Sequence, residues 1–414
     1  MSDPFEGAAR EVVEQRNIAA VGFVLRLARA LHGYGLSADA LESALHRMSD
    51  RLGLEGQFFS TPTSVLAAFG PPERQQTHMI RVYPGDVDLG KLARLDAVSR
   101  DVERGRASVL EGSARIDAII ASPPTSSALV RVIGYGVASA AVCRILGGGL
   151  HEVLVAGLAG LVTGVLSLAS KKLSHGTHVF ELVGALAVAA IVTIVASLGV
   201  RLSIPTATLG GVIVLLPGLT VTLAMTELAR RHLAAGTARL SGAFLVFVII
   251  ALGVGVGSQL AESLVGDVRS FAPPRLPMWS LIGALSIAPF AFAAVLRARL
   301  RDLPWLWVAS TLGYTAVRGA ALLFDTALAA LVGALVVGAL SNLYDRWGRG
   351  PAAVPLVPGV LLLVPGSIGY RSLASLLDQD VVVGVTAGVT MILTAVALAG
   401  GLLVASVIVP PRRG

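Results

Sequence analysis

One cysteine in 414 residues, Cys143, excludes a disulfide framework. It lies in an apolar segment, where a lone thiol is a packing residue. Aromatic residues make up 5% of the chain, and no basic stripe with interleaved aromatics occurs. That removes the usual signature of a nucleic-acid surface. Charged residues are also scarce, at 14% against 54% hydrophobic, with a mean hydropathy of +0.76. A soluble protein of this length carries more charged surface. The opening MSDPFEGAAREVVEQ is polar and acidic, without the basic and then apolar pattern of a cleaved signal peptide.

The little charge present is segregated. Residues 1–125 hold 14 basic and 16 acidic side chains, and residues 126–414 hold 19 and 10. The high pI therefore belongs to the apolar part. From about residue 127 that part runs through stretches of about 20 residues, the length of a membrane-crossing helix. Ten spans are expected: 127–146, 150–170, 179–199, 204–228, 241–262, 277–296, 303–322, 325–343, 353–376 and 381–409. With 1–125 in the cytoplasm, the inner loops carry Lys171, Lys172, Arg230, Arg231, Arg239, Arg297, Arg299, Arg301, Arg346 and Arg349, and the tail adds Arg412 and Arg413. The outer loops carry only Arg144, Arg201, Arg269 and Arg275. This asymmetry predicts a polytopic α-helical membrane protein with both termini cytoplasmic.

Two pairs of segments recur. GVIVLLPG (211–218) and GVLLLVPG (359–366) agree at five of eight positions, and LVGALAVAAI (182–191) and LVGALVVGAL (331–340) at seven of ten. The repeat unit is five spans, giving domains at 126–265 and 276–414. Five is odd, so the second copy enters the membrane inverted. Inverted repeats give a transporter two related conformations, one open to each side.

Residues 1–125 read as a separate cytosolic α/β domain. Helical spacing runs over 11–33 and 37–52, with Ser37 or Asp39 capping the second helix. Residues 58–70 and 77–84 read as strands, and 87–105 and 107–121 as helices. GDVDLGKL (85–92) approaches the phosphate-binding loop, but Leu92 replaces the hydroxyl residue, and Asp86 and Asp88 would repel phosphate. A turn followed by an Asp88 helix cap explains it better.

GLSADALESALHRMSDRLGL, FSTPTSVLAAFG and RVYPGDVDLGKLARLDAVSRDVERG, followed by ten spans with two Pro-Gly segments, resemble the threonine/serine exporter family over nearly the whole chain. The resemblance implies secondary export of small amino acids driven by the proton-motive force, across a bacterial cytoplasmic membrane. Related two-subunit systems split between the five-span halves and are linked to dicarboxylate export. The family brings no catalytic residue set and no cofactor.

The Pro-Gly segments are the expected substrate site. Proline inside a helix removes a hydrogen bond and clashes with the preceding turn, and glycine permits non-helical dihedrals. In hydrocarbon the freed backbone groups need partners, and a broken helix lining a cavity offers them to a ligand. A plain kink is the alternative. The site residues are Pro217, Gly218, Thr220 and Thr222, then Pro365, Gly366, Ser367, Tyr370 and Arg371. Glu227, Asp325 and Glu181 are proton-coupling candidates, each against the alternative of an interfacial carboxylate facing water or an arginine. His175, His178 and Glu181 recur every three residues and read as a polar turn rather than a metal site. HEVLV (151–155) lacks the second histidine of a zinc protease, and no G-x-S-x-G element occurs. The expected partners are the bilayer, a small substrate such as threonine or serine, and protons; homo-oligomerisation is open. Dicarboxylate efflux would need cationic recognition, for which Arg371 and Arg318 are the obvious groups. A membrane sensor with a ligand-binding 1–125 domain is the rival of another class, and the repeat counts against it.

Overall fold

The computed structural model describes residues 4–82, 85–170, 179–363, 366–377 and 379–411. Two helices, α1 (Pro4–Gly33) and α2 (Ala38–Leu52), precede an antiparallel sheet in the order β1 (Gly56–Thr61), β2 (Ser64–Phe69) and β3 (Gln76–Arg81). The single strand expected over 58–70 is instead a hairpin. Thr61 pairs with Ser64, and Pro62-Thr63 form the turn. Proline cannot donate to a ladder, so it marks the break between strands. Val65, Ala67 and Phe69 alternate inward from β2 onto Phe23, Leu27, Leu41, Leu45 and Met48. Two helices complete this unit, α3 (Leu89–Glu103) and α4 (Val109–Ala121). The Asp88 carboxylate accepts the Lys91 amide at 2.9 Å, the cap expected from the sequence. Ser108 and Glu111 close a reciprocal capping box on α4.

The remainder is helical: α5 (Ala128–Ile145), α6 (Leu150–Ser170), α7 (Phe180–Ser197), α8 (Ile204–Val212), α9 (Gly218–Ala229), α10 (Leu233–Val265), α11 (Met278–Val295), α12 (Leu303–Ala320), α13 (Thr326–Arg346), α14 (Ala353–Leu363), α15 (Gly366–Leu377) and α16 (Val381–Ile408). Among the described residues, eight stretches are long and apolar enough to cross a membrane: α5, α6, α7, α10, α11, α13, residues 353–376 and α16. Two of the ten expected spans are not among them. Residues 204–228 are divided, because α8 stops at Val212 and α9 starts only at Gly218. Residues 303–322 contain α12, whose Arg318, tryptophans and hydroxyls lower its hydropathy.

Helix contacts recur between the two halves. α7 packs on α10 as α13 packs on α16; α6 meets α8 as α12 meets α14; α9 lies on α10 as α15 lies on α16. Small residues let these backbones approach. A Cβ placed on Gly253 would meet the Leu182 carbonyl and the Ala185 Cβ; one placed on Gly401 would meet the Leu331 carbonyl and the Ala334 Cβ. Leu182 and Leu331 open the two LVGAL segments. In the same way Gly211 faces Val188 and Gly359 faces Val337.

The N-terminal unit sits on one end of this helical body. Leu89 and Gly90 amides donate to the Leu296 and Arg297 carbonyls, each at 3.0 Å, and the Ser126 hydroxyl donates to the Ala294 carbonyl at 3.2 Å. A buried core runs without interruption from α1–α3 to α5 and α11. At the other end of α5, Arg144 donates to the Ser280 hydroxyl at 2.8 Å, and the nearby Glu152 carboxylate accepts the Ser203 amide at 2.6 Å.

Candidate functional site

The α8/α9 break is built from small and apolar residues. Gly210 and Gly211 let the end of α8 lie against Cys143, Ala156, Ala159 and Val188. Cys143 is fully buried there, as expected of a packing thiol. Residues 213–217 then leave the helix, and α9 resumes with the Pro217 carbonyl accepting the Val221 amide at 3.0 Å. Pro217 has no side chain able to cap, so no side-chain cap closes the start of α9. Gly218 is buried and Thr220 half-buried. Thr222 is fully buried, and its hydroxyl is turned back on its own helix, donating to the Gly218 carbonyl at 3.3 Å. Mid-helix threonine commonly does this.

On the second copy, Pro365 lies outside the described residues. Gly366 and Tyr370 are buried, Ser367 is half-buried and Arg371 is exposed. Tyr370 packs into the same core as Leu215, Leu216 and Val221 from the first break. Helix α9 also touches both α14 and α15. The described residues that follow the two Pro-Gly pairs, far apart in sequence, are thus neighbours in space. Arg318 and Arg371 are both exposed and are not drawn into this region.

The three acidic candidates occupy unlike settings. Asp325 is an exposed N-cap, accepting the Leu328 amide at 2.8 Å. Glu181 is half-buried in the first turn of α7, and His175 and His178 beside it lie outside the described residues. Glu227 is fully buried at the end of α9. Its carboxylate accepts Arg239 Nε at 3.0 and 2.9 Å and the Ala38 amide at 3.0 Å. Among the described residues no group of His, Cys, Asp and Glu could hold a metal ion.

Glu227 belongs to a set of contacts that sequence reading missed, because they join distant segments. Ser37 occupies the N-cap position of α2, but its hydroxyl makes no capping bond. The Glu227 carboxylate takes the first amide of α2 instead, where the helix dipole favours a negative charge. Arg230 pairs with Asp39, and His232 Nδ1 lies 3.5 Å from Glu42. Burial pushes the Glu42 carboxyl above its ordinary range, although His232 opposes this. Arg297 reaches Asp86 at 2.6 Å and Asp88 at 3.5 Å. Lys91 is buried and donates to the Ile120 carbonyl at 3.0 Å and the Tyr34 hydroxyl at 3.3 Å. GDVDLGKL is therefore a docking loop whose lysine is committed to the protein. The acidic loop and the arginine-bearing helix ends were the available signal, since opposite charge marked both surfaces.

Between the N-terminal unit and the helical body lies a cavity of about 290 Å³, walled by the end of α1, by α2, α3, α9, α13 and α16, and by the start of α14. Arg47, Arg100, Arg230, Asp39 and Asp345 are among its charged residues, and Thr226 on α9 lines it too.

A family model described as "Putative threonine/serine exporter" matches residues 22–261, and a second, "Threonine/Serine exporter, ThrE", matches residues 282–408. Similar proteins include "Pheromone-regulated membrane protein 10" of Debaryomyces hansenii, 29% identical over 368 residues, covering 84% of this chain and 36% of that protein. The protein of the same name in Saccharomyces cerevisiae is 26% identical over 415 residues, covering 94% of this chain and 54% of its own length. The chain thus spans only a part of these longer relatives. They are yeast proteins, so the expectation of a bacterial cytoplasmic membrane gains no support from them. No solved structure matches. The apolar helices and the two matches, which together span most of the sequence, make this a multi-pass membrane protein belonging to the threonine/serine exporter family.

Proposed function

We propose that the chain is a secondary exporter of small amino acids such as threonine and serine, coupled to protons. It works by alternating access between two inverted five-span units, α5–α10 and α11–α16, with α8/α9 and α14/α15 each one broken span, giving ten crossings. The recurrence of one packing set in both halves carries this reading. Gly253 meets Leu182 as Gly401 meets Leu331, and the paired helices correspond one to one. The halves also exchange contacts, since α9 lies against α16 and α10 against α15. Such an exchange is what a two-fold axis in the membrane plane produces. Residues near Arg230, Asp345 and Pro411 line one cavity with α2 and α3, which favours an even number of crossings between the N-terminal unit and the tail. The arginines gathered at that end favour the cytosolic side for both termini.

In this reading the substrate sits where α9 approaches α14 and α15. The uncapped start of α9 presents amides and the positive end of its dipole to a carboxylate. Thr220 and Ser367, half-buried, offer hydroxyls to the ammonium or side-chain group. The test is transport by the full chain in lipid vesicles, with labelled threonine, serine and succinate, with and without a pH gradient. Threonine or serine flux that responds to the gradient is expected. Flux of succinate alone would replace the substrate class, and flux of none of the three would reject the exporter reading.

A further inference from the structure

The cavity between the N-terminal unit and the helical body lies outside the transport site proposed above. Its volume of about 290 Å³ suits a small metabolite. Its wall carries both signs of charge. Arg100 Nη2 holds Asp96 at 2.9 Å, while its Nη1 is buried with no hydrogen-bond partner among the described residues. A buried donor without an acceptor is costly, and a ligand atom is one explanation for it. Arg47, on the neighbouring helix α2, makes no ion pair among the described residues. Arg47 is exposed at the cavity wall, and Arg100 can receive a carboxylate once Nη1 turns toward the cavity. Glu103 on α3 and Asp345 on α13 add negative charge to the wall. A dianion entering here gains two cationic partners but faces these carboxylates. A zwitterion answers both signs with one group each.

We infer that this cavity is a second binding site, for a small zwitterionic α-amino acid. Arg100 Nη1 and Arg47 hold its carboxylate, and its ammonium faces Glu103 and Asp345. Leu223 and Thr226 bring α9 into the same wall, and Thr226 is one helical turn from Thr222. A ligand held here waits beside the half-helix of the transport site. The role as an antechamber rests on the exporter reading; the binding itself does not.

The experiment uses the full chain in nanodiscs of phosphatidylethanolamine and phosphatidylglycerol. Cys143→Ala removes the sole cysteine, and Ser43→Cys places a thiol on the exposed rim of the cavity. The readout is the rate of maleimide modification with L-threonine, with succinate, or with neither. L-threonine is expected to slow labelling several-fold, and succinate to leave it unchanged. Arg100→Gln should abolish the protection. Protection should survive Gly218→Leu, which fills the transport site, and its midpoint should be unmoved by Thr220→Val, which serves where the leucine variant is not monodisperse. No protection by threonine, equal protection by succinate, protection retained in Arg100→Gln, or protection lost with the transport-site variants would each overturn the assignment. Protection without transport rejects only the exporter reading, and transport without protection rejects only this site.

Discussion

Replacing Glu227 with alanine tests the joint between the N-terminal unit and the helical body. The carboxylate is fully buried and satisfies two elements at once, Arg239 on α10 and the first amide of α2. Its loss leaves a guanidinium that is only 19% exposed without a counter-charge. Breaking a buried pair by removing one partner costs about 3–5 kcal/mol. The partial exposure of Arg239 admits water, so the lower end, about 3 kcal/mol, is expected. Of this, about 1 kcal/mol is the lost cap on α2. Glu227→Gln keeps an acceptor for the Ala38 amide and should cost less. Glu227→Ala combined with Arg239→Ala removes both charges, and its cost should fall short of the sum of the single changes by about 1 kcal/mol or more. Thermal unfolding of the purified chain measures the stability. Limited proteolysis at the Pro123-Pro124 connector measures release of the N-terminal unit, and it should accelerate in the alanine variant. Unfolding of Glu227→Ala within about 0.5 kcal/mol of wild type, with unchanged cleavage, would refute the joint.

Three further outcomes are expected. Gly218→Leu and Gly366→Leu should abolish threonine transport while keeping membrane expression; normal flux in both would make the Pro-Gly segments ordinary kinks. Gly253→Val and Gly401→Val should destabilise the chain by similar amounts, about 1–3 kcal/mol by overpacking, because each drives a side chain into the same carbonyl of the matching helix; a cost in only one of them would break the equivalence of the halves. Burial, together with the Arg239 charge, holds His32 below its ordinary 6.5, so the unfolded chain binds this proton first as pH falls. Stability should therefore decline as pH falls through about 6.5, and unfolding scans of His32→Gln should show a flatter decline. Glu42, raised by burial, has the opposite sign: its contribution is present below its ordinary 4.5 and is lost as pH rises through its higher folded value.

Local chemistry was legible in the sequence. Hydrophobic period placed the helices of both parts, Asp88 capped α3 as its position predicted, and Pro217-Gly218 marked the end of a helix break. The sequence was misleading where two short elements share one apolar stretch, as in the β1–β2 hairpin, where Pro62 inside FFSTPTSVLAAFG was the overlooked punctuation. It was silent about contacts between distant segments. Ser37 was the local candidate to cap α2, but the acceptor comes from Glu227, 189 positions on. Thr222 is available by sequence alone, and only the folded helix turns its hydroxyl back onto the Gly218 carbonyl. The cavity between the two parts was equally hidden, since seven separate helices wall it.

The N-terminal unit grips both halves of the body: Asp39 and Glu42 hold the end of α9 and the start of α10, while Asp86 and Asp88 hold the end of α11. A body that rocks one half against the other must carry this clasp with it or stretch it. On the alternating-access proposal the clasp, where stretched, acts as a spring across the joint, and one orientation of the carrier rests lower in free energy than the other. In the exporter proposed above, a substrate or proton that turns the carrier over has to supply that difference through its own preferential binding. Loosening the clasp would change how often the carrier faces each side, with no alteration to any atom that touches the cargo.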